Sequence, residues 1–175
     1  GKLKDLYELL CKFNNFCLTK NIKYCLAWGT LLGCIRHKGF IPWDDDIDLF
    51  IYQKDEMKLI RAIENSDDFI LINHYNGKNF IPCSSTEYVY KKNRTFYKLL
   101  KKNPGKSAKD YLDTRTTDAH GNNVIIDIMV IDPIPEDDSR VVTWSGPSYN
   151  KTDFINSNDE LDCIFKQFHD IKCPV

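Results

Sequence analysis

The segment Trp43-Asp44-Asp45-Asp46-Ile47-Asp48-Leu49 sets an acidic run into an alternating apolar one. In extended chain, side chains two apart share a face. Asp46 and Asp48 therefore project together, while Ile47 and Leu49 enter a core. Two like charges about 5–7 Å apart repel unless a cation lies between them. A divalent metal is the usual solution, and hard Mg²⁺ or Mn²⁺ prefers carboxylate oxygens. An EF-hand is excluded, because Leu49 and Asp55 stand where that loop requires Gly and Glu. A solvated acidic surface does not ordinarily alternate with Ile47, Leu49 and Ile51. The sharper competitor is the D-x-D pair of a nucleotide-sugar glycosyltransferase.

A third carboxylate supports the metal reading. Ile125-Ile126-Asp127-Ile128-Met129-Val130 carries one acid inside a nearly continuous apolar strand. An ionised Asp buried there alone is very costly; a half-exposed place at the sheet's end or a protonated core acid would answer that, but the more economical expectation sets Asp127 beside Asp46 and Asp48 on a neighbouring strand. Asp132 competes for this role, but it precedes Pro133, where the strand is already ending. Ahead of the acids, Gly29-Thr30 marks a turn between a strand and a helix, where backbone amides can hold phosphate oxygens. Arg36 offers a fork suited to bidentate phosphate contact, with His37 as a possible helper and a solvated basic loop as the plainer alternative. Trp28, Phe40 and Trp43 are candidate platforms for a base or a quaternary ammonium, and core packing is the plainer role for each.

The elements needed to position these groups are legible in outline. Leu3, Leu6, Leu9, Leu10, Phe13, Phe16 and Cys17 recur at spacings of three and four, predicting a helix over 3–19 that ends at Asn21. Residues 22–28 read as a buried strand, 31–36 as a brief helix and 46–52 as a strand. Asp55 is expected to cap a helix over 56–65. Strands are expected over 69–73, 87–91 and 124–131, a short helix or loop over 95–102, and helical spacing over 158–172. Helices alternating with strands indicate an α/β (α+β) fold.

Composition bounds the class. The chain has 175 residues, 42% hydrophobic and 13% aromatic, which is enough for one cored domain and excludes wholesale disorder. A net charge of −1 lacks the broad basic field of generic nucleic-acid binders. No run approaches the roughly 20 apolar residues of a membrane span. Seven cysteines include no C-x-x-C spacing, so a zinc ribbon has no support. They read as buried thiols, with disulfides of the secretory route as the alternative. No signal-peptide pattern precedes them, which leans toward cytoplasm.

Residues 28–49, WGTLLGCIRHKGFIPWDDDIDL, resemble the LicD family of phosphotransferases, which includes the fukutin-related proteins. The later Ile126-Asp127-Ile128-Met129-Val130-Ile131-Asp132 is similar to that family's third-acid strand, with Met129-Val130 in place of the usual Phe-Pro. The resemblance implies a nucleotidyltransferase-like mixed sheet flanked by helices, using Mg²⁺ or Mn²⁺. It implies transfer of a phospho-alcohol, such as phosphocholine or ribitol phosphate, from a CDP-linked donor to a hydroxyl of a glycan or glycolipid, with CMP leaving. Asp46, Asp48 and Asp127 would be catalytic metal ligands. Gly29 and Thr30 would cradle phosphate, with Arg36 near it. The family commonly runs longer, so residues 1–175 are expected to form a single catalytic domain short of a C-terminal helical portion. A nucleotide-transferring enzyme on the same fold and a non-catalytic glycan-binding module are the further readings.

Overall fold

A computed structural model of the chain describes residues 1–75, 79–82, 96–106, 124–133, 140–144, 154–156 and 165–175. Helix α1 (Lys2–Lys20) buries Leu6, Leu9, Leu10, Phe13 and Cys17 of the expected stripe, while Phe16 is partly buried and Leu3, in the first turn, is exposed. It stops where Asn21 turns left-handed and its amide, with that of Ile22, caps the last carbonyls. Strand β1 (Tyr24–Leu26) follows, then helix α2 (Trp28–His37), strand β2 (Ile47–Tyr52) and helix α3 (Gln53–Glu64). Strands β3 (Phe69–Tyr75), β4 (Asn79–Pro82), β5 (Phe96–Lys101) and β6 (Ile125–Pro133) complete the main sheet's path. Its order is β1-β2-β6-β5-β3-β4. β7 (Arg140–Trp144) pairs with β6 and with β8 (Phe154–Asn156), and β9 (Phe165–Phe168) and β10 (Ile171–Pro174) form a separate hairpin.

The β2–β6 pair is parallel and the other ladders antiparallel, so the sheet is mixed and the fold is of the α/β class. Alternation divides the sheet into two faces. Ile47, Leu49 and Ile51 of β2, Leu99 of β5 and Ile126, Ile128 and Val130 of β6 share one core with Leu6, Leu10 and Phe13 of α1 and Leu59, Ile60 and Ile63 of α3. The opposite face carries Asp48, Asp127 and Lys98 at consecutive places across three strands.

Several expectations are corrected. Gly29 and Thr30 lie inside the first turn of α2, because the helix starts at Trp28 directly behind β1. α3 begins at Gln53 with Tyr52 as its N-cap, since β2 runs into it without a loop. Asp55 lies in that helix's first turn, and its carboxylate accepts the Lys23 N–H at 3.3 Å. Residues 96–101 form a strand, because β3 and β6 offer ladder partners on both edges. Residues 165–174 form the β9–β10 hairpin, although Phe165 and Phe168 have helical spacing. Phe40 is buried against Phe168, so its role is in the core. The strand expected at 87–91 lies outside the described residues. Cys11, Cys17, Cys25, Cys34 and Cys173 are free thiols, as the plainer reading expected.

Candidate active site

The acids come together through a fold-back around α2. Gly33 sits so close to the following connection that a Cβ there would stand 2.5 Å from the Gly39 carbonyl oxygen and 3.0 Å from the Ile41 amide. Hydrogen at this position lets residues 39–41 return along the helix. The Asp44 N–H then donates to the Ile41 carbonyl at 3.0 Å. Asp44 arrives against Gly29, where an added Cβ would lie 2.9 Å from its Oδ2. That Oδ2 is buried and has no hydrogen-bond donor among the described residues.

Asp48 is pinned by the start of α2. Its N–H donates to the buried Thr30 hydroxyl oxygen at 2.9 Å, and its carbonyl accepts the Ala27 N–H at 2.9 Å. Its carboxylate accepts the Gly29 N–H, so the positive end of the helix faces an acid. In the parallel ladder Asp48 stands beside Asp127. Asp46, Asp48 and Asp127 each offer a carboxylate oxygen, and these atoms lie within 4.8 Å of one another. Burial, followed by the Asp127 charge, pushes the Asp46 carboxyl up to about 6. Burial, followed by the Asp46 and Asp127 charges, pushes Asp48 up to about 7, against the pull of the Gly29 amide. Mutual repulsion of this kind marks a place suited to a cation.

A hard divalent ion fits these residues. The donors are carboxylate oxygens, they converge from β2, the residue just before it and the adjacent β6, and Asp44 adds an orphaned oxygen at the margin. Mg²⁺ or Mn²⁺ would be held by Asp46, Asp48 and Asp127.

The other candidate residues fall at different distances from this cluster. Gly29 and Thr30 adjoin it, their contacts made to Asp48 and Asp44. Arg36 and His37 are exposed in the last turn of α2, about 10 Å further along its axis, so the structure does not bring them to the acids. Trp43 borders the acidic run and is 83% exposed. Trp28 begins α2 with a left-handed φ of 36°, a costly conformation for a bulky side chain, and packs edge-on against Phe50 at 5.8 Å. Phe50 is one pleat beyond Asp48 on the same face.

Lys98 is the residue that sequence reasoning missed. Its ammonium donates to both Asp127 oxygens at 2.8 and 3.0 Å. Only the alternation Tyr97-Lys98-Leu99, read as a strand, would have placed this charge on a sheet face.

Carboxylates converging beside a helix N-terminus on a mixed α/β sheet form a class of site suited to a hard divalent cation. Comparison with known proteins narrows that class. The profile described as "LicD/FKTN/FKRP, nucleotidyltransferase domain" matches residues 21–135. The lipopolysaccharide cholinephosphotransferase LicD of Haemophilus influenzae is 32% identical over 135 residues, covering 74% of this chain and 43% of that protein. An uncharacterised protein of Rickettsia prowazekii is 49% identical over 57 residues, covering 33% of this chain and 19% of its own. The human ribitol 5-phosphate transferase FKRP is 53% identical over 34 residues, covering 19% of this chain and 7% of its own. The chain therefore belongs to the LicD/FKTN/FKRP family, and it spans less than half the length of these relatives.

Proposed function

We propose that the chain is the catalytic domain of a metal-dependent phosphotransferase. It moves a phospho-alcohol, phosphocholine or a similar group, from a CDP-linked donor to a sugar hydroxyl of a glycan or glycolipid. The observation that carries this reading is the convergence of Asp46, Asp48 and Asp127 within 4.8 Å in a chain of this family. Involvement of Asp127 also favours it over a D-x-D glycosyltransferase, for which that residue has no role.

In the reaction the acceptor hydroxyl oxygen bonds to the phosphorus bearing the alcohol, and the bond from that phosphorus to the CMP phosphate oxygen breaks. CMP leaves with the electron pair, and the hydroxyl proton passes to a carboxylate. A bound divalent ion would neutralise charge developing on the phosphate oxygens. Asp46, Asp48 and Asp127 hold the cationic position, and Asp127 is the expected proton acceptor. The first turn of α2 keeps Asp48 aimed through the Gly29 amide. Trp28 and Trp43, at the margin, are the surfaces offered to the base or the alcohol.

The test is thermal unfolding with CDP-choline, CDP-ribitol, CTP or UDP-sugars, each with Mg²⁺, Mn²⁺ or chelator, for wild type and Asp46→Asn. A ligand at about 100 times its Kd stabilises by about 2.7 kcal/mol. A metal-dependent rise in Tm of roughly 5–10 °C with a CDP-alcohol, lost in Asp46→Asn, is expected. A response to UDP-sugars alone would replace this reading with the glycosyltransferase. Labelled nucleotide retained on the acceptor, in place of CMP release, would make the enzyme a nucleotidyltransferase.

A further inference from the structure

Lys98 stands on β5 directly opposite Asp127 of β6, and that register puts its ammonium on the face that holds the acids. The two side chains are enclosed together, with 14% of the lysine and 16% of the aspartate exposed. An ammonium so far withdrawn from water depends on its counter-ion, and removing either partner strands the other. The pair contacts both oxygens of the carboxylate that would also face a metal beside Asp48. Across the strands the order is therefore Asp48, Asp127, Lys98, at the ~4.8 Å spacing of neighbouring strands.

Two cations cannot both hold the Asp127 oxygens without repelling each other. We propose that Lys98 is the resident counter-ion of Asp127 and competes with the divalent cation for that carboxylate, so that metal uptake trades the Lys98–Asp127 pair for a metal contact. This inference rests on the metal reading given above. Lys98 is then a positioning residue: it holds the Asp127 carboxylate aimed along the sheet face, and it weakens the grip of the site on the metal. A purely structural ion pair would hold the sheet together and leave metal affinity untouched.

The discriminating measurement is calorimetric titration of the whole chain with Mn²⁺ alone, with thermal unfolding as the control for folding. Lys98→Met preserves length and removes the charge. Even at the dielectric of water a unit charge about 5 Å from a divalent ion is worth about tenfold in affinity, and the enclosed pair is screened less, so Lys98→Met should bind Mn²⁺ at least about tenfold more tightly. Lys98→Arg should stay near wild type. In an Asp127→Asn background, the gain from Lys98→Met should shrink, since no carboxylate remains to hold the ammonium beside the metal. Unchanged or weaker binding in folded Lys98→Met, while Asp46→Asn still abolishes uptake, would overturn the counter-ion role and leave the metal reading standing. Absence of Mn²⁺ uptake by wild type would overturn both.

Discussion

Asp48 illustrates how much a single residue is asked to do. Its backbone is tied to α2 on both sides, its carboxylate takes a helix amide, and two further acids face it. Without a cation, ionising it is opposed first by burial and then by those acids. A carboxyl whose pKa is higher in the folded chain than in the unfolded one holds its proton more tightly when folded. Its contribution to stability is thus greatest at low pH and is lost as pH rises through about 6 for Asp46 and about 7 for Asp48. In chelator, Asp48→Asn should therefore raise Tm near pH 8 more than near pH 5. Saturating Mg²⁺ should reverse that benefit, favouring wild type near pH 8. An Asp48→Asn shift equal at both pH values would show that neither burial nor the neighbouring acids oppose ionisation of Asp48.

At the scale of elements, α2 and the connection behind it form the device that assembles the site. The helix presents its first turn to Asp48, and Gly33 admits the returning backbone that carries Asp44 to Gly29. A methyl at Gly33 meets main-chain atoms, which cannot rotate away as a side-chain end could. Overpacking of this kind costs about 1–3 kcal/mol, more than the about 1 kcal/mol that Ala otherwise returns in a helix. Gly33→Ala should lower Tm by several degrees and weaken Mn²⁺ binding in parallel, since shifting residues 39–41 shifts the acids. Retention of wild-type Tm would mean that the connection accommodates the methyl without moving.

On the scale of the whole molecule, the C-terminal hairpin belongs to the same core as the strands that carry the acids. Phe168 and Cys173 are fully buried in the cluster formed by α1, α3 and the sheet. The His169 N–H donates to the Lys38 carbonyl at 2.6 Å, and the Cys34 thiol donates to the Gln167 carbonyl at 3.6 Å. The hairpin thereby braces the C-terminal end of α2 from a position more than a hundred residues away. Phe168→Ala should cost about 3–5 kcal/mol, measured by denaturant unfolding, because the side chain leaves a cavity beside Phe40. A loss below about 1 kcal/mol would place the hairpin outside the cooperative unit.

The acids of β2 and β6 and the stripe of α1 were legible because each is a local repeat: period two on a strand, spacings of three and four on a helix. Asp127 could be assigned to the site because an acid among Ile and Val has few tolerable surroundings. The sequence by itself thus determined the fold class, the family and the acids that converge. Only the tertiary structure decided that residues 96–101 are a strand, since ladder partners on both edges override a weak local preference. That pairing in turn sets Lys98 against Asp127, a contact across 29 positions that no local pattern encodes. It likewise separated Gly29 and Thr30 from Arg36, residues that share one helix. Backbone geometry puts about 10 Å of helix between them and carries only the first pair to the acids.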